Sequence, residues 1–254
     1  MIISAGRHGL AVGVAWRMAE RFFYPEPIST GTVRLEGEEF HHLTHVCRYH
    51  LGDRVVLFNG DGREYLAVIR NVTRRYAELV VESVQEVSRE LPAPLWLAAP
   101  LPKGDRQQFL IEKLTELGTA RYIPLSTQRS VITPATTRLE KLRRYVIEAC
   151  KQCGRNRLME IASPLELPTL LSSREVPEHR LLADVRGEPL RWEHFPARQA
   201  TVVVVGPEGG FAEQEIAQAR QAGWQLVALG SRILRVETAA VFLACCFSWR
   251  QLAA

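Results

Sequence analysis

A chain of 254 residues, 46% hydrophobic and 24% charged, has the make-up of an ordinary globular protein, long enough for two domains and a substantial core. Its formal net charge of +4 is mild for a nucleic-acid binder, so any such contact depends on where arginines cluster and not on total charge. Five cysteines, an odd number without a secreted-type framework, exclude a disulfide scaffold and favour a reducing cytoplasm; no apolar stretch is long enough to span a membrane.

Residues 1–17 hold a short apolar segment that faintly resembles a signal peptide. No small-residue cleavage site follows, and Arg17 and Arg21 flank the wrong end, so 1–17 reads as an extension before a start near Met18. From there the sequence is β-rich. Residues 32–35 read as a strand and 38–48 as a helix. A turn at Gly52-Asp53 leads into a strand at 54–58, and Asn59-Gly60-Asp61-Gly62 is a strong hairpin signal. Residues 65–72 and 76–84 alternate apolar and polar, as half-buried strands do. Together they predict a small barrel with one helix over 18–90. Leu91-Pro92-Ala93-Pro94 is a stiff hinge and marks the boundary with a second domain, 91–254.

Beyond the hinge, strands and helices alternate, which predicts a parallel α/β sheet. A strand at 95–99 precedes a helix at 106–117 closed by Gly118, and a strand at 122–125 precedes an amphipathic helix at 138–153 ended by Gly154. A short helix at 168–172 and a strand at 181–184 follow. Residues 186–199, with two prolines, read as a loop able to cover a site. The β-branched run 202–205 stops at Gly206-Pro207-Glu208-Gly209-Gly210-Phe211, a turn that needs glycine-rich backbone. A strand at 226–229 then exits through Gly230 into a basic loop, and the last helix spans 237–252. Two such loops at the carboxyl ends of strands are where a ligand is expected. Neither has the spacing of a dinucleotide fingerprint or of a phosphate loop.

Other signals carry less. His41 and His45 lie one helical turn apart, but no matched cysteine or carboxylate set accompanies them, so no metal site is expected. Cys150 and Cys153 have redox spacing, yet they close a helix instead of opening one, and read as packing residues.

Taken jointly, the motifs resemble the bacterial ribosomal RNA small subunit methyltransferase E family of the SPOUT superfamily. The match rests on Gly206-Pro207-Glu208-Gly209-Gly210-Phe211 and on Leu229-Gly230-x-Arg232-Ile233-Leu234-Arg235-x-Glu237-Thr238-Ala239. Arg21-Phe22-Phe23, His41-His42-Leu43, Val46-Cys47-Arg48, Lys103-Gly104-Asp105-Arg106, Lys113-x-Thr115-Glu116-Leu117-Gly118 and Gln152-Cys153-Gly154-Arg155-Asn156 agree with it. Val236 and Ser231 stand where the family usually has threonine and proline. The resemblance implies an N-terminal PUA-like β-barrel and a C-terminal SPOUT α/β domain with a parallel sheet and a deep trefoil knot. It also implies a homodimer, S-adenosyl-L-methionine as methyl donor with S-adenosylhomocysteine as product, and N3 of a uridine in 16S ribosomal RNA of the small ribosomal subunit as the target.

On that reading, backbone groups of Gly206, Pro207, Glu208, Gly209 and Gly210, with those of Leu229, Gly230, Ile233, Leu234 and Arg235, are the candidates to hold the donor's adenine and ribose. Leu182 and Ala183 are expected as apolar walls, and Gly209→Val is expected to block the loop. The bland reading of the first loop is a tight strand-to-helix turn with no ligand. Uridine N3 must lose its proton, so a cation beside it would stabilise the forming anion. Arg235 is the first candidate and Arg232 the next; pairing of Arg235 with Glu237, or with a phosphate, is the alternative. Gln152, Arg155 and Asn156 could reach the target base, Asn156 having donors and acceptors suited to a uracil edge; a plain helix end is the other reading. Arg21, Arg48, Lys103, Arg106, Arg129 and Arg157 are candidate phosphate contacts. The competing functions are the same chemistry on a different RNA or base atom, a non-catalytic RNA-binding assembly factor, and a small-molecule nucleotide enzyme of Rossmann type.

Overall fold

The computed structural model describes residues 19–130 and 136–253, so the expected extension at 1–17 lies outside the described residues. The chain forms two compact units. One runs to Arg89 and takes in Lys151–Arg157; the other comprises Glu90–Cys150 and residues from Leu158 onward.

The first unit is a five-stranded sheet in the order β1 (Arg21–Phe23), β3 (Arg54–Phe58), β4 (Arg63–Val72), β5 (Tyr76–Glu86), β2 (Thr32–Glu36). Only the β1–β3 pair is parallel. The β3–β4 turn is fixed by Asp61, whose carboxylate accepts from Arg63 N at 2.8 Å and from the Tyr65 hydroxyl at 2.5 Å. Register shifts between Leu66 and Ala67 and between Ile69 and Asn71 are bulges that add twist to the longest pair. Val33 and Leu35 alternate inward from β2 and meet Phe22, Leu43, Val55, Leu57 and Leu79 in one apolar core. Helix α1 (Gly37–His41) buries Phe40 against it and continues as a single wide turn, His42–Val46. The predicted helix over 38–48 is therefore shorter and changes pitch midway.

The second unit has a parallel sheet in the order β12 (Gln225–Ala228), β10 (His179–Pro189), β11 (Thr201–Val205), β6 (Leu95–Ala99), β7 (Arg121–Ser126), β8 (Glu160–Ile161), with β9 (Leu165–Glu166) also on β7. All five residues of β11 are buried, as expected for a strand covered on both faces. Val202 and Val204 face a core with Leu167 and Leu170 of α4 (Leu167–Ser172) and Ile216 of α5 (Glu213–Gln221). Helix α6 (Val236–Leu252) lies on β6 and β11 and packs with α2 (Arg106–Glu116). Burying each of these valines contributes about 1.5 kcal/mol or more. The remaining helix, α3, spans Thr136–Cys153.

Strand β10 departs from expectation. The segment read as a loop from residue 186 stays in the sheet to Pro189, paired with β12 across a register shift between Ala183 and Glu188. Gly187 makes this possible, since a Cβ there would lie 2.4 Å from Val227 N and 2.5 Å from the Leu226 carbonyl carbon. Backbone cannot yield as a flexible side chain can. Gly187→Ala is expected to destabilise the unit by about 2 kcal/mol through this overpacking; a thermal melt matching wild type would contradict it.

Candidate active site

Two loops at the carboxyl ends of β11 and β12, with the middle of β10, enclose a cleft of about 270 Å³. Residues 206–210, Leu229, Gly230, Ile233, Leu234 and Ala183 line it, all expected as donor contacts; Arg232 lines it too. Leu182 and Arg235 are the exceptions among the expected donor contacts. Leu182 is wholly buried in the core next to Val204, so its side chain supports the cleft from behind instead of walling it. Arg235 stands exposed at the entry to α6. Sequence reasoning missed Asp184, Val185, Val205, Phe211 and Ala239, which complete the lining. Asp184 was the legible one, an acidic residue directly after an apolar strand end.

The first loop is held from several directions. A turn closes it through Gly210 N to Pro207 O at 2.8 Å. Arg129 donates to Gly209 O at 2.7 Å, so this expected phosphate contact is engaged as a brace. Glu215, buried on α5, accepts from Ala212 N at 2.8 Å and from Gln128 N at 2.9 Å, tying the loop to the end of β7. Arg186 grips Asp184 with Nε at 2.6 Å and Nη2 at 2.8 Å, and reaches Glu213 at 2.6 Å and the Phe211 carbonyl at 3.1 Å. Burial alone would raise the Asp184 carboxyl, but the Arg186 hydrogen bonds and charge outweigh it and hold the group below the ordinary aspartate range. The Asp184–Arg186 pair therefore stays ionised and braces the frame of the cleft.

Arg106 joins the two loops. Its Nη1 lies 3.6 Å from Glu208 on the first and 3.4 Å from Glu237 at the start of α6. The expected alternative partner of Arg235 is thus taken by Arg106, and Arg235 has no ion pair among the described residues. Lys103 is exposed beside Arg106.

The other expected contacts fall in the first unit, in unlike surroundings. Asn156, expected to read the target base, is 1% exposed. Its amide donates to Glu64 at 3.2 Å and to Val87 O at 2.9 Å, and its carbonyl accepts from Arg21 at 2.6 Å. Every group suited to a uracil edge is thereby occupied. Arg21, expected on phosphate, is engaged with Glu64 at 2.6 Å and lies over the Phe58 ring. Arg155 is 3% exposed, which removes it from the RNA-facing set. Arg48, Gln152 and Arg157 are exposed. The His41 and His45 rings stack at 4.6 Å, and no group of three histidine, cysteine or acidic side chains able to hold a metal occurs among the described residues.

A snug cleft with apolar walls, fixed backbone groups and two carboxylates, Asp184 and Glu208, suits a ligand that has a heterocycle and several hydroxyl or amino groups. The residues fit S-adenosylmethionine: the packing of Gly206 against Phe211 sets the loop's path, and the glycines of both loops let a ligand approach the backbone closely.

Both units match known protein families. An RNA methyltransferase domain matches residues 89–248, and an RNA methyltransferase PUA domain matches residues 35–82. A ribosomal RNA small subunit methyltransferase E from Synechocystis is 36% identical, over 85% of this chain and 72% of that protein. The one from Bacillus subtilis is 30% identical, over 86% and 90%. A crystal structure of the Neisseria gonorrhoeae enzyme of that name, bound to S-adenosyl methionine, superposes with a TM-score of 0.82 at 31% identity, covering 91% of this chain and 97% of that one. A Legionella pneumophila methyltransferase solved with bound SAM gives 0.83 at 31% identity, covering 92% and 98%. With both domains matched in the same order and most of each relative aligned, the chain belongs to the ribosomal RNA small subunit methyltransferase E family.

Proposed function

We propose that this protein transfers a methyl group from S-adenosylmethionine to N3 of a uridine in 16S ribosomal RNA of the small subunit. The observation that carries the reading is the cleft itself, in which the two family loops meet around a preformed cavity. Relatives that bear the family name, and neighbours solved with SAM, support the donor and the RNA class. The first unit binds the RNA, in keeping with its PUA match. Arg232, on the wall of the donor cleft, and Arg235, exposed and without an ion pair among the described residues, are cations that could approach a developing uridine anion from the donor side. The second unit carries the knot that the family resemblance implies.

The protein works as a homodimer in the cytoplasm. Phe242, Trp249 and Leu252 leave an apolar strip of α6 exposed, and Trp192 lies against Trp249 with ring centroids 4.5 Å apart, a patch suited to a second copy. All five cysteines are free, as a reducing compartment requires, and no helix among the described residues is long and apolar enough to cross a membrane. Labelled methyl transfer to purified small subunits, followed by nucleoside analysis, tests the activity. Label in 3-methyluridine supports it; label in another nucleoside redirects the target atom, and donor binding without transfer to any RNA sinks it. A monomer in sedimentation velocity would remove the dimer.

A further inference from the structure

A second cavity, of about 200 Å³, shares the Pro207–Glu208 wall with the donor cleft. Pro100 and Pro102, which follow β6, and Pro207, which follows β11, give it apolar sides; Lys103, Arg106 and Glu208 bring two cations and a carboxylate. Strands β6 and β11 are neighbours, so this cavity also lies at the carboxyl ends of the sheet.

Its chemistry is selective. The N3 edge of uracil presents one N–H donor between two carbonyl acceptors. Its complement is an acceptor flanked by donors, and the cavity lining supplies one acceptor, Glu208, and two donors, Lys103 and Arg106. A flat base also needs apolar surfaces against its faces, which prolines provide without leaving polar groups unpaired. Arg106 is available despite its pairs with Glu208 and Glu237, because both fall on Nη1 and a guanidinium carries five N–H donors. Lys103 has no ion pair among the described residues.

We propose that this cavity is the seat of the target uracil, with Lys103 and Arg106 on its carbonyl oxygens and Glu208 accepting from N3–H. The assignment rests on the methyltransferase reading above. Glu208 lines both cavities, so the N3 edge of a base held this way faces the wall shared with the donor cleft. The N3 proton passes to the Glu208 carboxylate, which must then turn aside, because the methyl carbon arrives along the line the N–H bond occupied. Cytosine has an unprotonated N3 and an amino group on the same edge, so it would set acceptor against acceptor and donor against cation. The unpaired groups left behind reject it.

The test is an NMR titration of the full chain with uridine 5′-monophosphate, cytidine 5′-monophosphate and 3-methyluridine, beside calorimetry with S-adenosylhomocysteine. Amide shifts are expected at Leu101, Lys103, Gly104 and Arg106, with the cytidine nucleotide at least about tenfold weaker. 3-Methyluridine, which lacks the N3 proton, should also bind less well. Glu208→Gln, whose amide can donate to cytosine N3, is expected to erase the preference. Lys103→Ala should weaken the uridine nucleotide several-fold while leaving S-adenosylhomocysteine affinity unaltered. Equal affinity for the two nucleotides, or shifts confined to other surfaces, would overturn the proposal. A uridine preference without S-adenosylhomocysteine binding would instead defeat the methyltransferase reading and support the uracil seat.

Discussion

Gly206→Val is expected to weaken S-adenosylmethionine binding by at least about tenfold, read by calorimetry, while the first unit is unaffected. A Cβ on Gly206 would stand 2.7 Å from Phe211 Cε2 and 2.9 Å from its Cζ. Phe211 cannot swing aside, being buried in the core with Leu182, Val204 and Ile216. The backbone at 206–207 must move instead, and that backbone is a wall of the cleft. Overpacking of this kind costs about 1–3 kcal/mol, and about 1.4 kcal/mol corresponds to a tenfold loss where the strain falls on the bound loop. Gly209, three residues on, behaves differently. A Cβ there would meet only Arg129, Cδ at 3.5 Å and Cβ at 3.6 Å, both ordinary contacts, so Gly209→Ala should lose far less affinity. Equal affinities for Gly206→Val and wild type would show that the loop's path does not set donor binding.

That contrast marks how far the sequence could be read. The strand ends, the two glycine-punctuated loops and the order of helices were legible because each is local: a run of β-branched residues, a turn signal, a 3.6-residue period. The same local logic, with the family resemblance, pointed to Gly206, Gly210, Leu229, Gly230, Ile233 and Leu234, which line one cleft. It could not rank Gly206 above Gly209, because the deciding contact is with an aromatic ring whose position depends on core packing. Nor could it place Asn156. A polar residue just past a helix end reads as a free recognition group until its partner Glu64, 92 positions earlier, is seen against it. Strand β10 failed for a related reason, since two prolines and a glycine look like a loop unless β12 is known to run alongside. Arg106, read as a surface phosphate contact, acquires its role only from Glu208 and Glu237, over a hundred residues away in sequence.

The first unit should depend on Glu64 more than on any other single charge. Its side chain is 4% exposed, and Oε1 accepts from Arg21 and from Arg89, each at 2.6 Å, with Asn156 Nδ2 at 3.2 Å. One carboxylate therefore joins β1, the end of β5's following segment and the turn after α3. Glu64→Ala takes the carboxylate from Arg21, which keeps its bond to the Asn156 carbonyl, and leaves one of the two Asn156 amide hydrogens unbonded; a loss of about 3 kcal/mol is expected, at the low end for a buried pair because Arg89 is partly in water. Hydrogen exchange of the β3 and β4 amides would read this within the unit, and protection equal to wild type would refute it. Acid should act in the same direction. Burial alone would raise the Glu64 carboxyl, but the Arg89 hydrogen bond and the Arg21 charge outweigh it and hold the group below the ordinary glutamate range. A carboxyl lowered in the folded state contributes stability that is full above its unfolded value, about 4.3, and is lost as pH falls through the folded one. Wild-type protection should therefore fall steeply in acid, and Glu64→Gln should start lower and fall less. Parallel acid profiles for the two proteins would mean that this carboxylate carries none of the pH dependence.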